Sequence, residues 1–317
     1  MKRIAAAFAL AAASLGAGAQ EFPSKSVTFV VPFAAGTATD TFARALGQAV
    51  SEATKQTVVV DNKPGASGMI AAQFVSKAAA DGYTVLFTTH TTHAANSHLY
   101  QQLSYEPVKD FAPVALLGKG GQVLVVRNDI PAKSVGEFIA LAKKSPGRIN
   151  FASGSSSSRI AVELFQQMAG VELLHVPYKS NTLAVTDMLG GTIDMMITDT
   201  TTGLPQVQAG KLRALGYSDA KRSRLAPDVP TIAEAGVKGY EMTYWFAAYA
   251  PAGTPAPVVK RLNELLVAAT RSATARAFFD KTGVDPATST PEGLAAFQAA
   301  ETRKWGEIVK KANIQPE

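Results

Sequence analysis

Short β-branched runs alternate with helical-period stretches along most of the chain. Residues 27–31 (Val-Thr-Phe-Val-Val), 57–61 and 84–89 have strand length and composition, and the stretches at 40–53 and 69–77 carry apolar residues at helical spacing. Strands alternating with helices of this length predict parallel βαβ units. Thr37 or Thr39 is placed to cap the first helix, and 62–65 (Asn-Lys-Pro-Gly) and Asp81-Gly82 read as turns. A long apolar stretch at 114–127 is broken by Gly118, Gly120 and Gly121.

The pattern then repeats. Ser134-x-x-Glu137 is a capping box opening a helix to Lys144, which Ser145-Pro146-Gly147 ends. Residues 150–152, 173–176, 193–198 and 212–217 read as strands, with helices at 159–169, 182–189 and 204–209. Residues 221–239 are loop-rich, and 243–250 are aromatic and extended. Helices are predicted at 257–270, 273–282 and 291–311, the last capped by Thr290. A helical tail needs a partner for its apolar face. The pattern therefore predicts two α/β lobes joined by two crossings, near 122–127 and 245–250, with the tail returning to the first lobe. The boundaries are 20–123 plus 249–317 for lobe 1 and 124–248 for lobe 2.

The first nineteen residues read differently. Lys2 and Arg3 precede an Ala-rich apolar run at 4–15, and Ala17-Gly18-Ala19 has the small-residue spacing of a cleavage site. This is the pattern of a secretory signal peptide, residues 1–19, and it predicts an exported, periplasmic protein. No later apolar run escapes interruption by charge, Gly or Pro, so no membrane span is expected.

Composition narrows the chemistry. The 317 residues contain no cysteine, which excludes disulfides, thiolate metal sites, a cysteine nucleophile and a cysteine-linked lipid anchor. Removing Lys2 and Arg3 takes the formal charge from +6 to +4, and the remaining basic residues are scattered, which disfavours nucleic acid as a partner. No Walker loop or G-x-S-x-G elbow is present, and the serine run 155–158 lacks the closing glycine. His90, His93 and His98 have a spacing that suggests zinc, but no neighbouring acid completes a ligand set. Asp61 and Asp199 are too isolated for an acid–base pair. No cofactor and no metal are expected.

Three loops follow strands and open helices: Phe33-Ala34-Ala35-Gly36-Thr37-Ala38-Thr39, then Ser153-Gly154-Ser155-Ser156-Ser157-Ser158, and Asp199-Thr200-Thr201-Thr202-Gly203. Small residues let a backbone approach a ligand, and N–H groups at a helix start attract carboxylate or phosphate. Ligands of open α/β sheets sit beyond the carboxyl ends of the strands. Ser, Thr and Gly also favour such positions as plain caps and turns.

Collinear motifs extend nearly end to end: Val30-Val31-Pro32-Phe33 with Gly36 and Asp40, Val60-Asp61-Asn62-Lys63-Pro64-Gly65-Ala66, Asp81-Gly82-Tyr83-Thr84, His175-Val176-Pro177-Tyr178-Lys179, Pro230-Thr231-Ile232-Ala233-Glu234-Ala235-Gly236 and Ala250-Pro251-Ala252-Gly253-Thr254-Pro255. In these the chain resembles the Bug (TctC-like) substrate-binding proteins of tripartite tricarboxylate transport. The resemblance implies an α/β, two-lobe periplasmic-binding-protein fold of the type II, Venus-flytrap kind. It implies a monomeric, non-enzymatic solute-binding protein that closes on a small organic carboxylate and delivers it to membrane transporter subunits. A ligand-presenting partner of a membrane kinase and an exported enzyme acting on organic acids are the alternatives.

Carried over, the family's carboxylate site falls on Phe33, Ala34, Ala35, Gly36, Thr37, Ala38 and Thr39, and on Ser153, Gly154, Ser157, Ser158 and Arg159, with the loop of Asp199 and Thr200 facing them; independently of the family, His90 is placed to add a donor at the rim. Two departures stand out. The family's Pro-Gly-Gly is here Ala35-Gly36-Thr37, and Arg159 stands where the family has His. A guanidinium at the start of a helix can grip a carboxylate with two parallel hydrogen bonds, and Phe33 offers a flat face for a ring. An aromatic mono- or dicarboxylate such as terephthalate is the expected ligand.

Overall fold

The computed structural model describes residues 22–311 and 313–316. The expected leader, residues 1–19, lies outside the described residues. In chain order the elements are β1 (Val27–Val31), α1 (Ala38–Thr54), β2 (Val58–Asn62), α2 (Met69–Ser76), β3 (Thr84–Thr89), α3 (Asn96–Leu99), β4 (Phe111–Arg127), α4 (Val135–Lys144), β5 (Asn150–Ser153), α5 (Ser156–Ala169), β6 (Leu174–Pro177), α6 (Asn181–Leu189), β7 (Met195–Asp199), α7 (Thr200–Gln208), β8 (Leu212–Tyr217), β9 (Thr243–Pro251), α8 (Ala256–Ala269), α9 (Ala273–Thr282), β10 (Asp285–Pro286) and α10 (Pro291–Lys311).

Two sheets share one strand. The first runs β2-β1-β3-β9-β4, with β10 added on β4; the second runs β6-β5-β7-β4, with β8 also on β4. β1, β2 and β3 are parallel, as the βαβ pattern requires. β4 is antiparallel to β9 from Phe111↔Pro251 to Gly121↔Thr243, and from Gln122 onward it pairs with β7 and β8. The three glycines do not end this strand, which continues through them for 17 residues.

The boundary expected at 248/249 falls inside β9. That strand lies between β3 and β4 and is buried at every position, so the chain re-enters the first sheet at Met242/Thr243. An aromatic run followed by Pro and Gly has the composition of a crossover; burial on both faces of a central strand produces the same composition. The first crossing lies at Gly121/Gln122, at the edge of the stretch read from the sequence.

Side chains staple the two crossings. Ser218 Oγ accepts from Gln122 N (2.7 Å) and donates to Met242 O (2.5 Å), while Tyr217 OH accepts from Gly121 N (2.8 Å). The Tyr217 ring lies so close that a Cβ on Gly121 would stand 2.6 Å from it, and one on Gly120 would stand 2.8 Å from the Tyr244 ring. The crossing is thus a glycine pair held between two buried tyrosines.

Each lobe has its own core. Phe29, Phe42, Phe87, Phe246, Phe278 and Phe279 gather under α1, α8 and α9 on one face of the first sheet. Here α1 presents Phe42, Leu46 and Val50 at helical spacing, and Phe42 stacks on Phe278 (4.5 Å). A second cluster, including Val123, Met196 and Leu204, fills the second lobe. A third spans both, joining Trp305 and Ile308 of α10 to Ile160 and Leu164 of α5. The tail thus covers the first lobe and also touches the second.

Gly121→Ala is expected to destabilise the protein by about 1–3 kcal/mol, because the added methyl must displace a buried tyrosine ring. The urea midpoint reads this directly; an unchanged midpoint would mean that the crossing yields without loss.

Candidate ligand-binding cleft

The carboxyl ends of β1, β3, β5 and β7 converge on the seam between the sheets. Asp199, the last residue of β7, is level with Gln122 at the crossing. Thr89, the last of β3, is paired with Phe246, which also pairs with Gly118. The loops that follow these strands therefore face one another across the seam.

Asp40 builds the first loop. Its carboxylate accepts from Gly36 N (2.9 Å), from Asn62 Nδ2 (2.9 Å) and from Arg44 Nε (3.1 Å), and Asn62 Nδ2 also donates to Phe33 O (2.9 Å). Burial raises the Asp40 pKa, but the bonds from Arg44, Gly36 and Asn62 outweigh it, and the net shift is downward. Thr37, not Thr39, caps α1, accepting from Asp40 N (3.4 Å), and it donates to Ala34 O (2.8 Å). Gly36 takes the left-handed conformation (φ 83°) that this tight loop needs. Gly36 N–H is therefore committed inside the loop. The first-turn amides of Ala38 and Thr39, which no intrahelical carbonyl can reach, remain as donors at the helix end. Ala34, Ala35 and Gly36 are exposed, Phe33 is half-buried and Thr39 is buried.

The second loop leads directly into α5, which starts three residues earlier than expected. Ser155 caps it through Ser158 N (3.2 Å). Ser158 is buried, and its hydroxyl donates to Ile197 O (2.5 Å), so it holds the helix to β7 instead of facing the cleft. Gly154 N donates to Asn181 Oδ1 (2.9 Å), and a Cβ on Gly154 would stand 1.9 Å from the Ser180 carbonyl carbon. Only glycine fits there. Ser153 Oγ lies 2.7 Å from His175 Nε2, the distance of a nucleophile–base pair, yet Ser153 is 5% exposed and cannot meet a substrate. Burial, and then the Arg159 charge, hold the His175 pKa down.

The third segment is a helix start, not a loop. Asp199 caps α7, accepting from Thr202 N (2.9 Å), Thr202 Oγ1 (2.7 Å), Thr201 Oγ1 and Asn181 Nδ2 (3.0 Å). Its carboxylate is saturated by its own protein. Asn181 thereby ties the second and third segments together, a role that no local pattern signals. Thr200 is buried and donates to Thr282 O in the first lobe.

His90 is not at a rim. It is 3% exposed, stacked on Trp305 (4.8 Å) and edge-on to Trp245 (6.4 Å), at the entry to a π-type turn (Thr91–Ala95). His93 stacks on Tyr249 (3.7 Å), and His98 Nε2 bonds Thr302 O (2.8 Å). The three histidines thus point into different packing environments, and among the described residues no group of three acids or histidines is placed to hold a metal.

Arg159 does reach the seam. With Ser156 and Ile160 it lines a pocket of about 40 Å³ whose other wall is Leu99, Tyr100, Ile314 and Gln315. Its side chain is 39% exposed and lies 3.9 Å from Glu163, whose pKa burial raises against the Arg159 charge. Tyr100 hydrogen-bonds Ser67 (2.7 Å). This tyrosine was not among the residues picked out from the sequence, because only the fold carries it to α5. The pocket offers the N-terminus of α5, a cation, a phenol and apolar walls, a combination suited to an anion with an apolar body.

The family model described as "Tripartite tricarboxylate transporter family receptor" matches residues 42–314. The chain belongs to this family. Among curated relatives it is 37% identical, over 97% of this chain and 93% of the relative, to the UPF0065 protein in the tcbD–tcbE intergenic region of Pseudomonas sp. strain P51. It is 33% identical to protein BugT of Bordetella pertussis, over 94% and 92% of the two chains. Among solved structures, R. palustris Rpa4515 with adipate aligns at TM-score 0.87 and 35% identity, covering 94% of this chain and all 100% of that one. The periplasmic binding protein BugD aligns at 0.84 and 33% over 93% and 100%. MatC of Rhodopseudomonas palustris with bound malate aligns at 0.80 and 32% over 91% and 100%. The family and these neighbours are solute-binding proteins, and no helix among the described residues is long and apolar enough to cross a membrane.

Two outcomes follow from the buried groups. Burial holds His90 and His93 down at about 3, from an ordinary 6.5. The unfolded chain therefore takes up two protons that the folded chain refuses. Stability is full above pH 6.5 and falls as pH drops from there towards 3, by about 1.4 kcal/mol per unit per histidine. Melting temperatures from about pH 7.5 to about 4.5 should decline below 6.5, and less steeply in His93→Gln; a flat profile would contradict the burial. Separately, Asp40→Ala leaves three donor groups without their acceptor and should cost about 1.5–3 kcal/mol. Faster hydrogen exchange at Gly36 would accompany it, and an unchanged Gly36 amide would show that the loop is held by other means.

Proposed function

We propose that this protein is an exported, periplasmic solute-binding protein that captures a small organic carboxylate between its lobes and hands it to membrane subunits of a tripartite tricarboxylate-type transporter. The observation that carries this is the pocket between the lobes, where Arg159 and Ser156 at the start of α5 face Leu99 and Tyr100 of the first lobe. The lobes are residues 22–121 with 243–316, and residues 122–242; they close about the two crossings. Closure excludes water and strengthens each contact between amide and carboxylate. The adipate and malate bound by Rpa4515 and MatC support a carboxylate as the ligand class.

Within that class we favour an aromatic mono- or dicarboxylate such as a phthalate isomer. Arg159 and the Ser157 amide hold one carboxylate, the Ala38 and Thr39 amides a second, and the half-buried Phe33 lies against the ring. Tyr100 adds a hydroxyl on the same side as Arg159.

The test is a thermal-shift and calorimetry series with benzoate, the three phthalates, adipate, malate and citrate. At a ligand concentration about 100 times Kd the preferred acid should add about 2.7 kcal/mol of stability. Small-angle scattering should show compaction with the same acid. Arg159→Ala should weaken binding by about 1.5–3 kcal/mol. Failure of every acid to raise Tm would defeat the carboxylate reading, and a preference for citrate or malate would remove the aromatic one.

A further inference from the structure

The C-terminal end of α9 belongs to the first lobe, where Phe278 and Phe279 sit in the phenylalanine core. Its last carbonyls have no partners within the helix. Gly283 turns the chain out in the left-handed conformation (φ 71°), donating to Phe279 O (3.0 Å). Thr282 Oγ1 donates back to Phe278 O (2.8 Å), and further bonds to this helix end come from the other lobe. Arg224, in the loop after β8, donates through Nη2 to Phe279 O and to Val284 O (3.4 Å). Its Nη1 donates to Asp280 Oδ1 (3.1 Å), and its Nε lies 3.5 Å from Asp285 Oδ1. Leu225, packed against the second lobe's core, covers the cap so closely that a Cβ on Gly283 would stand 3.0 Å from its Cδ1. Thr200, opening α7, donates to Thr282 O.

We propose that Arg224 and Thr200 form a latch that holds the lobes together without ligand, by satisfying the carbonyl end of a helix in the opposite lobe. This rests on the lobe closure proposed above. A cation at the negative end of the helix dipole is favourable. Asp280 and Asp285 are 76% and 71% exposed, so their ion pairs add little, and the bonds to Phe279 O, Val284 O and Thr282 O carry the latch. The Arg224 contacts involve none of the residues at 33–39 or 153–159. Contacts between the lobes raise the population of the arrangement in which they form, and a ligand that binds only that arrangement has its affinity scaled by its fraction.

Arg224→Ala is therefore expected to enlarge the radius of gyration of the ligand-free protein in small-angle scattering. Saturation with adipate or a phthalate should return it to the wild-type ligand-bound value. Affinity for the same acid should fall about fivefold although Arg224 is remote from it, and Arg224→Lys, which keeps the cation, should lie between. Superimposable ligand-free profiles of wild type and Arg224→Ala would overturn the latch. Should Arg224→Ala not fold, Thr200→Val repeats the ligand-free comparison with one hydroxyl removed at nearly constant volume, and identical profiles there would overturn it equally. If no acid binds the wild type, the carboxylate reading falls, while the ligand-free scattering still decides the latch.

Discussion

One strand belongs to both sheets, and the rest of the molecule depends on that sharing. β4 spends its first eleven residues beside β9 and its last six beside β7 and β8. Because a strand's backbone groups can pair only laterally, the point at which its neighbours change is also the point at which two rigid bodies meet. Gly120 and Gly121 occupy that point for a steric reason: two tyrosine rings lie against the backbone where any side chain would go. The lobes therefore meet at a compact crossing whose position is set by hydrogen bonding and ring packing together.

The same sharing places the cleft. Strands of both sheets direct their carboxyl ends toward the crossing, so the helices that follow them start on that side of the molecule. Many side chains in these loops serve the loops themselves. Asp40, Asn62, Asn181 and Asp199 spend their polar atoms on neighbouring backbone and caps, which makes the segments rigid and leaves the first-turn amides to meet a ligand. A site of this kind is insensitive to the exact side chain at many positions. In the proposed site, chemical selectivity would fall to the few groups that reach beyond the loops, Arg159 and Tyr100 among them.

Local pattern carried the parallel units well. The runs at 27–31 and 84–89 are the observed β1 and β3, and the capping box at Ser134 opens α4 where expected. What failed did so because long-range pairing overrode local composition. Three glycines in β4 looked like breaks, but neighbours on both sides hold the strand extended. The aromatic run of β9 looked like a bridge between lobes and is a central strand. Residues 199–203 looked like a loop because Asp and Thr favour turns, whereas Asp199 uses that preference to start a helix. In the cleft, Arg159 stood out from the sequence through its place at a helix start. Tyr100 and Asn181 did not, since their partners lie at least eighteen positions away along the chain.

The histidine buried between the indoles gives the protein an optical gauge. Trp245 and Trp305 are its two tryptophans; both are almost wholly buried, and Trp245 donates its indole N–H to Glu301 (3.1 Å). His90 touches both rings, on a turn that leads straight from β3, while Trp305 rides on the helix that packs against the second lobe through α5. Both indoles belong to the core cluster that also holds Ile160 and Leu164 of α5, so a shift of α10 against α5 changes the packing around them. Tryptophan emission would follow the relative movement of the lobes with no added label.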